Sequence, residues 1–156
     1  MRLYRASSAA QKGSRDELGL AGRAFQVRQQ YDLLRMRLAY HGTPKKYFES
    51  LDPSAPYVPE PFAREGFIHT TEGREAVSIT LTKYYKSSAE AWVMLCIDQD
   101  LVTSPMRYDD PAEVFPHIYG PLNRDAIVAV KDIARAPDGT FMKPEDYVRL
   151  KADATR

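Results

Sequence analysis

Glu65-Gly66-Phe67-Ile68-His69-Thr70-Thr71 is the stretch on which the reading of this chain turns. A glycine opens it, two apolar residues follow, and it ends in a polar tip, as a short strand running into a loop does. The spacing beyond it predicts a helix over residues 72–85, although β-branched residues such as Ile79 and Thr80 lower its propensity. The only other histidines stand in similar short clusters, Tyr40-His41-Gly42-Thr43 and Phe115-Pro116-His117-Ile118-Tyr119-Gly120-Pro121. Each of the three ends or adjoins a predicted strand, which marks one candidate pocket.

The bounds are those of a single globular domain. A chain of 156 residues can bury a proper core. Its 44% hydrophobic and 11% aromatic content sets it apart from disordered chains. One cysteine, Cys96, excludes an intramolecular disulfide and an all-cysteine metal site, and its place in Trp92-Val93-Met94-Leu95-Cys96-Ile97 reads as core. No apolar run reaches the length of a membrane span, and the N-terminus lacks a signal-peptide core. The expectation is a cytoplasmic protein that does not enter membranes.

The net charge of +1 conceals an asymmetry: residues 1–46 carry ten Lys/Arg against three Asp/Glu, and the remainder twelve against eighteen. The basic part coincides with a predicted amphipathic helix over residues 16–37, opened by the capping-box pattern Ser14-Arg15-Asp16-Glu17. Such a helix suits a phosphate or nucleic-acid acceptor, or a homodimer contact. We divide the chain into an N-terminal extension, residues 1–37, and one α+β domain, residues 38–156.

Within that domain, residues 38–41 read as a strand ending at Gly42-Thr43-Pro44, and the proline-rich residues 51–61 as loop. The run 92–97 reads as a strand buried on both faces, residues 106–108 as a short strand, and residues 126–130 as the clearest strand. Residues 115–121 read as a loop held by prolines, 137–139 as a turn, and 144–151 as a terminal helix.

Several chemistries are absent from the sequence. There is no Gly-x-Ser-x-Gly turn, no phosphate loop and no dinucleotide fingerprint. The histidines lack metal-ligand spacing, so no metal is expected. Glu65, Glu72, Asp109, Asp110 and Glu113 stand near the clusters as candidate acid–base groups. Three imidazoles, each next to hydroxyls or glycines, suit a small polyhydroxylated or phosphorylated ligand.

The 65–71 stretch and Phe115-Pro116-His117-Ile118-Tyr119-Gly120-Pro121-Leu122, with Leu95-Cys96-Ile97-Asp98 and residues 126–130 between and after them, resemble the bacterial domain-of-unknown-function family 952 over roughly residues 38–141. The helix before Leu38 is an addition to that pattern. The family has no settled activity, but its fold resembles that of ADP-ribosyltransferases. The resemblance implies two small antiparallel sheets forming a cleft around a nicotinamide dinucleotide (NAD), here with an extra N-terminal helix.

By that resemblance His41 and Thr43 would hold the ribose and the Gly42 backbone the carboxamide. Thr71 would add a hydroxyl, and Tyr84, Tyr85 or Tyr119 would stack on the nicotinamide. His69 and His117 would act as acid–base or phosphate-binding groups. The glutamate that opens a later strand in that superfamily has no counterpart in register, and Glu113 is the nearest. Three functions follow: an ADP-ribosyl transfer or related cleavage of NAD, a non-catalytic nucleotide or metabolite module, and a pathway enzyme for a small phosphorylated or sugar-like substrate.

Overall fold

The computed structural model describes Gly19, Gly22, Arg23, residues 36–112 and residues 114–143. Glu113, the predicted terminal helix over 144–151 and nearly all of the basic helix predicted over 16–37 lie outside the described residues.

The described part of the domain is α+β, with two three-stranded antiparallel sheets and few helices. Strand β1 (Leu38–Pro44) leads into helix α1 (Lys45–Ser50), and helix α2 (Phe62–Glu65) into strand β2 (Ile68–His69). Helix α3 (Arg74–Tyr85), strand β3 (Trp92–Asp98), strand β4 (Met106–Tyr108), strand β5 (Pro116–Ile118) and strand β6 (Ile127–Ile133) follow. The first sheet has the order β1-β3-β6 and the second β2-β5-β4.

The apolar run 92–97 explains the layering. All seven residues of β3 are buried because it is the central strand of its sheet. Side chains alternate faces along a strand, so its residues divide between two cores. Val93, Leu95 and Ile97 join Ile68 of β2, Ile118 of β5, Tyr57 and Leu122, which packs one sheet against the other. Trp92, Met94 and Cys96 join Tyr40, Phe141 and the Val77 and Leu81 stripe of α3. Each fully buried Leu or Ile contributes about 1.5–3 kcal/mol, so both faces of β3 are needed.

Some boundaries move. β1 continues past Gly42 to Pro44, which is tolerated because β1 is an edge strand. The expected strand at 66–71 is only the two residues of β2, α3 begins at Arg74, and α1 and α2 were not expected. The proline-held stretch 115–121 is not all loop, since β5 lies inside it as a central strand. A proline fits there because it occupies the first residue of the strand.

Gly42 faces α3. A Cβ there would meet Leu81 Cδ1 at 2.6 Å and Leu81 Cγ at 3.1 Å. Gly42→Ala is therefore expected to lower stability by about 1–3 kcal/mol through overpacking, read as a lower urea midpoint with unchanged slope. An unchanged midpoint would mean that α3 moves away from β1 without cost.

Candidate functional site

The second sheet has one face in the core, through Ile68, Ile118 and Met106, and one facing out. The outer face follows from the two-residue period of its strands. His69 is paired directly with His117, and His117 directly with Arg107, so the three form a row across all three strands. Directly opposed residues on one face have Cβ atoms about 4.5–5.5 Å apart. Phe67 and Tyr119, two positions along from His69 and His117, lie on the same side.

The rings pack accordingly. The His69 and His117 imidazoles meet edge to face, with centroids 5.0 Å apart and planes at 89°. Phe67 stacks on His117 at 4.3 Å and meets the His69 ring edge-on at 4.8 Å. Tyr119 lies 5.3 Å from Phe67, and the Arg107 guanidinium rests 4.7 Å from the Tyr119 centroid.

Each imidazole has its own carboxylate. His117 Nδ1 lies 3.0 Å from Asp109 Oδ2, which also accepts the Tyr119 hydroxyl. The Tyr119 and His117 bonds hold the Asp109 carboxyl below its ordinary range, and Asp109 in turn raises the Tyr119 phenol. His69 Nε2 lies 3.0 Å from Glu65 Oε2, while Arg64 donates to Glu65 Oε1 at 2.9 Å. The Arg64 bond is the main cause that lowers the Glu65 carboxyl. An ionised carboxylate only accepts, so His117 donates from Nδ1 and His69 from Nε2. His117 Nε2 and His69 Nδ1 are the nitrogens left for a ligand. The His69 side chain is 59% exposed and that of His117 17%, so one is open to solvent and the other mostly enclosed.

His41 is placed differently. It lies on the core-facing side of β1, opposite Leu95. Its Nδ1 is 2.7 Å from the His69 carbonyl, an acceptor, so this nitrogen carries the proton. Its Nε2 therefore accepts from the Tyr57 hydroxyl at 3.0 Å. The Thr43 hydroxyl bonds to Tyr57 in turn, and burial pushes the Tyr57 phenol up. Burial also lowers the His41 pKa to about 4. The chain Thr43, Tyr57, His41, His69 carbonyl is a continuous hydrogen-bonded line from the core to the back of the outer face.

The other expected residues are dispersed. Thr43 and Thr71 are buried, and Thr71 pairs its backbone with Tyr40, while its hydroxyl has no hydrogen-bond partner among the described residues. Tyr84 is exposed beside Lys83, and Tyr85 packs on Trp92 at 4.6 Å. Neither makes a ring contact with the Phe67 cluster among the described residues. Sequence reasoning missed Phe67 as a wall and Arg107 altogether. The usable signal for Arg107 was its polar place between Met106 and Tyr108 in a strand-like triplet.

A compact α+β domain with a histidine pair on the outer face of the smaller sheet, one ring open to solvent and one mostly enclosed, is the class defined so far. Residues 42–130 match the model of the family described as protein of unknown function (DUF952), and the chain belongs to that family. The crystal structure of protein CC0527 from Caulobacter crescentus is similar in fold, with a TM-score of 0.60 and 20% identity over 72% of this chain and 98% of that one. The solution NMR structure of the same protein gives a TM-score of 0.57 and 20% identity over 74% and 99%. No curated protein matches the chain. Among the described residues no helix is long and apolar enough to cross a membrane.

Proposed function

We propose that the outer face of the β2-β5-β4 sheet is an acid–base site for a small sugar-like or nucleotide ligand, with His69 and His117 as its proton-transferring groups. One observation carries this reading. Two imidazoles are placed side by side by direct strand pairing, 5.0 Å between centroids, and each is backed by a separate carboxylate. A carboxylate fixes the tautomer and stabilises the protonated ring, which lets one imidazole accept a proton while the other donates. Phe67 and Tyr119 supply an aromatic wall beside them.

Positioned acid–base groups contribute about 10²–10⁴-fold to a rate. The test is a panel of sugars, sugar phosphates and nucleotides, NAD included, followed by binding heat and by product formation. His117→Gln is expected to reduce turnover at least about 100-fold and His69→Gln comparably. Turnover that survives both substitutions would remove the acid–base reading.

A second reading, NAD cleavage on an ADP-ribosyltransferase-like fold, is favoured by the two small antiparallel sheets bridged at Tyr40 and Thr71. Three of the residues expected to hold the dinucleotide are engaged within the fold. Both His41 nitrogens are committed, Gly42 is covered by Leu81, and Thr43 is buried against Tyr57. This favours the Tyr119 and histidine face for a nicotinamide ligand, and free nicotinamide in the panel would report turnover.

A further inference from the structure

We infer that the outer face recognises a phosphate group and that Arg107 is its anchor, so that the ligand is a phosphorylated small molecule. This rests on the histidine-pair site above and names what it binds. The row His69, His117, Arg107 places two imidazoles and a guanidinium side by side on three consecutive strands, and in their doubly protonated form the imidazoles donate from the nitrogens that the carboxylates leave free. At about 5 Å per step, a tetrahedral oxyanion seated over His117 can give one oxygen to the imidazole and another to the guanidinium. A planar carboxylate offers two oxygens and matches one fork, whereas a phosphate offers three to donors that do not share a plane.

Arg107 lies within electrostatic reach of Asp109 and helps to lower its carboxyl, but the hydrogen bonds of the nearby carboxylates go elsewhere. Asp109 already accepts from Tyr119 and His117, and Glu65 from Arg64 and His69. Among the described residues Arg107 has no ion-pair partner within 4.0 Å, and its contact is the Tyr119 ring. A guanidinium resting on an aromatic ring keeps its in-plane N–H donors for oxygens. The groove elsewhere, around Lys86, Ser88 and Arg135, offers nothing comparable, because its guanidinium is spent on backbone carbonyls.

The experiment is a proton NMR titration of the full chain with inorganic phosphate at constant pH and ionic strength, with acetate as control. It reads the imidazole signals of the three histidines, assigned from the three single His→Gln variants. Phosphate at roughly 10 mM, ten times a millimolar dissociation constant, is expected to move His69 and His117 saturably and leave His41 in place. Arg107→Gln is expected to weaken that binding at least tenfold, and Arg107→Lys less. Unmoved signals, equal response to acetate, or an Arg107→Gln protein that titrates like the parent would overturn the assignment. Phosphate binding that needs Arg107, in a protein that turns over no member of the panel, would uphold the anchor and sink the acid–base reading. Turnover lost in His117→Gln without any phosphate response would do the reverse.

Discussion

Between pH 7 and pH 5 the folded protein is expected to lose roughly 1–2 kcal/mol of stability that a His41→Gln variant retains. The His41 pKa is 6.5 as an ordinary imidazole and about 4 in the fold, with burial as the largest cause. The unfolded chain therefore binds the proton first as pH falls. Stability from this group is fully present above pH 6.5 and drains away toward pH 4, with a limiting slope of about 1.4 kcal/mol per pH unit. Full enclosure would give roughly 2 kcal/mol across pH 7 to 5, and part of the residue reaches solvent, hence the lower bound. The carboxylates lowered in the fold, Glu65, Glu72 and Asp109 among them, titrate below this window and do not blur it. Urea midpoints of both proteins at pH 7, 6 and 5 make the measurement. Parallel lines would show that the His41 ring stays accessible to protons.

Arg135→Met is expected to cost about 2–4 kcal/mol, a loss that Arg135→Lys does not repair. The guanidinium donates to the carbonyls of Lys86 at 2.7 Å, Gly139 at 3.0 Å and Glu90 at 3.3 Å, and to that of Ser88. It also lies 4.4 Å from the Phe141 ring centroid. It thus ties the α3–β3 connection to the turn after β6. Hydrogen bonds from a charged donor are worth about 1.5–3 kcal/mol each and do not add, and carbonyls in an open groove regain water. A lysine ammonium is too compact to span the same carbonyls. The turn closes so tightly that a Cβ on Gly139 would sit 2.4 Å from the Lys86 carbonyl oxygen, with φ at +88°. A urea midpoint for Arg135→Met within error of the parent would refute the hub role.

Much of the architecture was legible because it rests on strong local signals. The unbroken apolar run at 92–97 could only be a strand covered on both sides, and it became the shared wall of two cores. The prolines of 51–61 and the turn at 137–139 were equally plain. What escaped was pairing. Pro116, His117 and Ile118 alternate buried, partly exposed and buried, yet three residues between prolines give too short a period to separate strand from loop. With β5 unseen, its partner β4 had no register, and Arg107 could not be placed opposite His117.

The histidines were legible as a group but not as two kinds. Local sequence made His41, His69 and His117 look alike, each beside hydroxyls and a turn residue. The difference lies in strand phase. His41 stands on the side of β1 that meets Leu95 and Tyr57, whereas His69 and His117 stand on the side of the smaller sheet that does not. Phase is set by which sheet covers which face, and that is a tertiary fact.

The short strand β2 and the two residues that follow it are stitched to their neighbours through the backbone. Tyr40 and Thr71 exchange bonds of 2.8 and 2.9 Å, His41 holds the His69 carbonyl, and the Thr70 amide and hydroxyl both reach the Pro116 carbonyl. No part of the strand can detach without breaking into the packing between the sheets. The candidate site and the core thus form one cooperative unit, unlike a lid that opens alone. A molecule held on that face stabilises the whole fold by mass action, by about 2.7 kcal/mol at a hundred times its dissociation constant. The melting curve of this domain would in effect act as a sensor for any ligand held there.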